Sequence, residues 1–176
     1  MQPDVEVRLR AMSKALQEVV LPAIDPHNKA AIEQASLVLG SLALLNEQLD
    51  YAHWYATTDT GLLCQLVEAL DAYWPRDVAD RLAIAVADAQ RAAARHATPL
   101  STITAANRAL RDGLCDALDE ALSTSATATR TQIERTVVQH SAVQLQMERA
   151  FVAKTGFDVS PQTLLPLAQA LAAATP

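Results

Sequence analysis

The chain has 176 residues, of which 51% are apolar but only 4% aromatic, with four glycines in all. That length can bury an ordinary core without disulfide or metal staples, and a composition rich in Ala and Leu favours closely packed helices over hairpins. Fourteen Lys and Arg against twenty Asp and Glu, a net charge of −6, exclude the concentrated basic face that nucleic-acid binding needs.

The opening Met1-Gln2-Pro3-Asp4-Val5-Glu6 has two acids and no basic region before an apolar run, so no secretory signal and a cytoplasmic location are expected. Four X-Pro pairs, Gln2-Pro3, Asp25-Pro26, Thr98-Pro99 and Ser160-Pro161, read as N-cap followed by the first helical residue, where proline's missing N–H costs nothing. The first helix is expected from Asp4 to Leu21, on Val5, Leu9, Met12, Leu16 and Val19, with Pro22 ending it. A second runs from Asp25 towards Ala56, roughly thirty residues, long enough to span a molecule of this size. Its longest apolar stretch, Ala35 to Leu45, falls well short of the ~20 residues of a membrane helix, so no membrane span is expected.

Thr57-Thr58-Asp59-Thr60-Gly61 reads as the next breaker. A third helix follows from Leu62 to Trp74, ended by Pro75, and a fourth from Asp77 to Ala97 with an amphipathic pattern on Val78, Leu82, Val86 and Ala89. The fifth carries Ile103, Leu110, Leu114, Leu118 and Leu122 up to the hydroxyl-rich Ser123–Thr127 turn. A sixth, about 28 residues to Thr155, has Thr131 and Glu134 spaced as a capping box and Gly156 as its closing residue. A short seventh, about 161–174, is disturbed by Pro166, so its regular part can start there; it is expected to pack across the bundle or at a dimer interface.

Two seams of alternating three and four spacing stand out. On the second helix, Ile32, Ala35, Leu39, Leu42, Asn46, Leu49 and His53 interrupt an aliphatic line with an amide and an imidazole; on the sixth, Ile133, Val137, His140, Gln144, Met147 and Phe151 do the same. These polar groups either satisfy one another and fix register or form a site. Asp50-x-x-His53, with Glu47 one turn earlier, has the carboxylate–histidine spacing of ferritin-like bundles, and His140 is the candidate fourth metal ligand. The second carboxylate-x-x-His is missing, so a complete di-metal centre is not expected and no cofactor is favoured. Aromatic residues concentrate at Tyr51, Trp54, Tyr55, Tyr73 and Trp74, which points to one aromatic end of the bundle. Together with Asn46, Asp50, His53, His140 and Gln144, the residues Tyr51, Trp54, Tyr73 and Trp74 are the candidate walls of a small-molecule pocket.

There is no GxSxG, Walker, GxGxxG or HExxH motif. His27 and His96 lie at helix ends, and Arg76, Arg81, Arg91, Arg95, Arg108 and Arg111 are interleaved with Asp as on a solvated face. Cys64 and Cys115 have no metal or disulfide spacing and read as reduced, half-buried residues. The expected fold is therefore one all-α up-and-down bundle of six or seven helices over residues 1–176, with two long core helices. The expected role is a non-catalytic binding or assembly protein forming a homodimer, because Val38, Leu42, Leu45 and Leu49 add a second apolar stripe beside the first seam. The alternative is a metal- or small-ligand-binding bundle, in its furthest form a ferritin-like enzyme.

Overall fold

Apolar residues recurring at three and four residues commit nearly all of this chain to helix. A computed structural model describes residues 4–155 and 158–175; it is 84% helical, without strands among those residues. In chain order the helices are α1 Val5–Ala15, α2 Lys29–Gln48, α3 Ala52–Ala69, α4 Arg76–Ala93, α5 Leu100–Thr124, α6 Thr127–Phe151 and α7 Leu167–Ala174. The fold is all-α, and no helix of the described residues is long and apolar enough to cross a membrane.

Several boundaries differ from the sequence pattern for physical reasons. Pro22 does not stop the first helix: a π turn over Leu16–Val20 leads into Leu21–Ala23, so the proline is inside helical structure. The wider turn makes room where a proline ring would meet the carbonyl four residues back. Asn28, not Asp25, caps α2, accepting the Ala31 N–H at 3.1 Å, while Asp25 accepts the His27 N–H at 2.9 Å in a turn of its own. Pro99 and Pro166 occupy the N-cap positions of α5 and α7, one residue earlier than the first-turn place expected of Pro99. Thr131 donates to the Thr127 carbonyl within α6 and forms no capping box. Gln2-Pro3 and Gly156 lie outside the described residues.

The largest correction concerns the thirty-residue helix, which is two helices. The chain turns at Leu49–Tyr51, marked by neither glycine nor proline, and α3 then runs unbroken through Thr57–Gly61. The threonines that looked like breakers tie their hydroxyls to carbonyls one turn back, Thr57 to His53 and Thr60 to Ala56, which short hydroxyl side chains can do inside a helix. Of the two long helices expected, α6 is the one present, at 25 residues, a length α5 equals.

The contacts divide the chain into two compact units, Met1–Tyr51 with Arg149–Leu164, and Ala52–Glu148 with Leu165–Pro176. In the first, α1 and its continuation pack along α2, as does the 3-10 turn Ala153–Thr155. The Arg149 guanidinium donates twice to Asp158, at 2.8 and 2.9 Å, and holds that carboxyl down to about 2. The second unit pairs α3 with α4, α5 and α7, and α4 with α5. Its core is Leu63, Leu66, Leu70, Val78, Leu82, Leu110, Leu114 and Ile133, with the Trp74 ring beside them. Leu70 is fully buried there, whereas Ile84 on the outer side of α4 is 67% exposed. Leu70→Ala is therefore expected to cost about 2–5 kcal/mol in denaturant unfolding, and Ile84→Ala about 0.5 kcal/mol or less; equal losses would contradict this placement of the core.

Candidate functional site

The densest chemistry lies in the second unit, where three helices each place a polar residue on an otherwise apolar stripe. On α3 the stripe Asp59, Leu62, Leu63, Leu66, Leu70 opens with a carboxylate; on α5 Asn107 stands between Ile103 and Leu110; on α6 Gln144 stands three residues before Met147. Asp59 and Asn107 are buried, at 5% and 3% exposure. A buried carboxylate must be met by donors or it destabilises the fold. Asp59 is met by three: Arg111 Nη2 at 2.8 Å and Gln144 Nε2 at 3.1 Å on Oδ1, and Asn107 Nδ2 at 3.0 Å on Oδ2.

The partners are themselves satisfied. Asn107 also donates to the Ala56 carbonyl at 2.8 Å, and its Oδ1 lies 2.6 Å from the Thr60 hydroxyl, whose single proton is shared between Asn107 and the Ala56 carbonyl. Gln144 gives its amide as well to Glu148 Oε1 at 3.0 Å. Burial pushes the Asp59 carboxyl above its ordinary value, and the nearby Glu148 charge adds to this; Arg111 and the Asn107 amide act the other way and do not offset it. Arg111 is 43% exposed, so water screens its charge and weakens its pull. Burial likewise raises the Tyr55 phenol, helped by Glu148 and Asp59. The cluster clamps α3, α5 and α6 to one another, with every acceptor and donor of Asn107 in use.

The residues expected to form a pocket fall in both units. Asn46, Glu47, Asp50 and Tyr51 belong to the first unit; His53, Trp54, Tyr73, Trp74, His140 and Gln144 belong to the second. Asn46 sits on the packed seam of α2 with its amide oxygen buried and lacking a hydrogen-bond partner; Asp50 is exposed, Glu47 and Tyr51 half-buried. In the second unit the aromatics do not gather at one end. Because α3 spans Ala52–Ala69 without a break, Trp54 stands in its first turn and Trp74 follows its end, with about 22 Å of helix between them. The Trp54 indole donates to the Thr175 hydroxyl at 3.1 Å, and the Trp74 indole to the Val67 carbonyl at 3.1 Å. Tyr73 packs at the core edge beside Trp74.

His53 has a buried Nε2 without a hydrogen-bond partner. His140 lines an open depression with Leu62, Gln65, Gln139, Val143 and Ala173. Only Gln144, of the expected set, enters the polar cluster. Among the described residues no three His, Cys, Asp or Glu side chains come together to hold a metal ion. Cys64 is half-buried, with its thiol pushed up by burial, and Cys115 is exposed.

Asp59, Asn107, Thr60, Arg111 and Glu148 were not read from the sequence as site residues. Asn107 was recognisable as the one polar residue between Ile103 and Leu110 on a clean stripe. Asp59 was hidden because Thr57–Gly61 has the composition of a turn. The chain matches no protein-family model, and searches of curated proteins and of solved structures return no match either.

A carboxyl raised in the folded state binds its proton there before the unfolded chain does, so its contribution to stability is gained as pH falls through the folded value towards the ordinary 3.8 and is absent above it. Unfolding temperatures measured from neutral pH towards about pH 4 are expected to improve for the wild type relative to Asp59→Asn, which cannot titrate; parallel profiles would contradict the raised value. Asn46→Leu removes an unpaired buried oxygen and is expected to stabilise the protein by about 1 kcal/mol. A loss of stability would show that Asn46 has a partner in solution.

Proposed function

We propose that this protein is a non-catalytic, cytoplasmic assembly module that forms a homodimer through its first unit. One observation carries the reading: with the whole chain present, Val5, Val7, Met12, Val19, Val20, Leu37, Val38, Leu45 and Leu49 are 43–67% exposed, while the described buried residues of that unit are Ala35 and Ala150. Ordering a residue costs ~1–2 kcal/mol of backbone entropy, and helices of this length are stable mainly through the apolar face they bury. Two buried alanines and a seam of half-buried Leu9, Leu16, Ile32, Leu39 and Leu42 make a thin core for that cost, so the first unit draws further stability from a surface outside the chain.

The polar cluster of the second unit supports a structural rather than a catalytic use of its carboxylate. Both Asp59 oxygens are taken by donors of the chain itself, and a general base must instead reach a substrate proton. Light scattering of the purified protein at micromolar concentration is expected to give twice the 18.9 kDa chain mass. A single-chain mass under those conditions contradicts the reading.

A further inference from the structure

Five of the exposed aliphatic residues of the first unit, Val5, Met12, Val38, Leu45 and Leu49, share one side of it. On α1 the half-buried Leu9, Ser13 and Leu16 mark the side turned to α2, and on α2 the buried Ala35 with half-buried Ile32, Leu39, Leu42 and Asn46 mark the side turned back. Each residue turns a helix by about 100°. Val5 and Met12 therefore stand roughly 70° to one side of the packed face of α1, and Val38, Leu45 and Leu49 roughly 80° to the same rotational side on α2. The two helices are joined by the short turn at 24–28 and pack on each other, so they run in opposite directions. Equal rotational offsets on antiparallel helices open onto the same face of the hairpin.

That face has a regular pattern. Val5, Leu9, Met12 and Leu16 are spaced four, three and four, and so are Val38, Leu42, Leu45 and Leu49, the spacing by which helices seat knobs into holes. Val5, Met12, Val38, Leu45 and Leu49 are each 43–52% exposed. Half-exposed aliphatic side chains in that number leave on the order of 400–500 Å² of apolar surface, over half the ~800 Å² that each partner gives to a stable interface. Arg8 at the edge of the α1 stripe is the charged side chain nearest to it in rotation.

The geometry points to a second copy of this hairpin as the occupant of this face: α1 and α2 of two chains stack, stripe against stripe, into one four-helix bundle. A two-helix sheet of aliphatic knobs with a single spacing on both helices fits its own duplicate, and two antiparallel hairpins are the parts from which a four-helix bundle is made. This inference rests on the homodimer proposed above and specifies its seam.

The test compares two leucines of equal exposure on α2, Leu45 at 52% and Leu37 at 51%, which stand about 80° apart around the helix, Leu45 on the shared face and Leu37 pointing directly away from α1. Leu45→Glu and Met12→Glu are each expected to shift the dimer–monomer midpoint up at least tenfold in concentration by light scattering, with the helical spectrum retained at high concentration. Leu37→Glu is expected to leave the midpoint within twofold of wild type. A wild-type dimer that neither Leu45→Glu nor Met12→Glu weakens overturns the seam while leaving the homodimer standing. Equal weakening by all three variants overturns the seam as well. A wild type that is monomeric throughout contradicts both, and leaves the face to a different protein.

Discussion

The whole structure answers to one constraint: an apolar stripe on a helix must be covered, and any polar residue within that stripe must be paired. In the second unit the constraint is met on both counts. The stripes of α3, α4 and α5 close on one another around Leu66, Leu70, Leu82 and Leu110, and the carboxylate that interrupts the first of them collects donors from α5 and α6. Asp59 thereby turns a local liability into a specification. A slipped register of either neighbouring helix would strip it of a donor, and a buried charge without donors is among the most costly defects a core can hold.

In the first unit the same constraint is met only in part. α1 and α2 pack on each other along one side, while Val5, Met12, Val38, Leu45 and Leu49 stay half-exposed on a common side. Asn46 shows the contrast at the level of one residue: it occupies a seam position like that of Asn107, yet its amide oxygen has no donor. The second unit has the features of a finished core, and the first those of half of one. The proposed assembly role would account for this difference without asking any side chain to do chemistry for which its partners leave no room.

Much of this was legible in the sequence, and what was missed lies at the two ends of one segment, Leu49–Gly61. The seam Ile32, Ala35, Leu39, Leu42, Asn46 is the packed side of α2, and the second stripe Val38, Leu45, Leu49 is the open side, because spacing fixes direction around a helix regardless of what lies beyond it. Pro166 marks the start of α7 for a reason equally local, its fixed φ. The break at Leu49–Tyr51 has no glycine or proline to mark it, and the continuity of Thr57–Gly61 is a place where tertiary contacts override local propensity: the bonds from Asn107, Arg111 and Gln144 to Asp59 hold as helix a segment whose composition favours a turn. Reading Thr57–Gly61 as a turn shifted the rest of the site. With α3 cut at Gly61, Trp54 and Trp74 appear to share an end of the bundle; with α3 intact, they stand at its two ends.

The central claim is that the first unit completes its core with another copy of itself, and hydrogen exchange followed by mass spectrometry as a function of protein concentration reads this segment by segment. The account predicts that protection of amides in Val5–Ala15 and Lys29–Gln48 rises as the protein is concentrated from nanomolar to high-micromolar, while amides in α3, α4 and α5 keep the same protection throughout. Protection of α1 and α2 that is independent of concentration would contradict it.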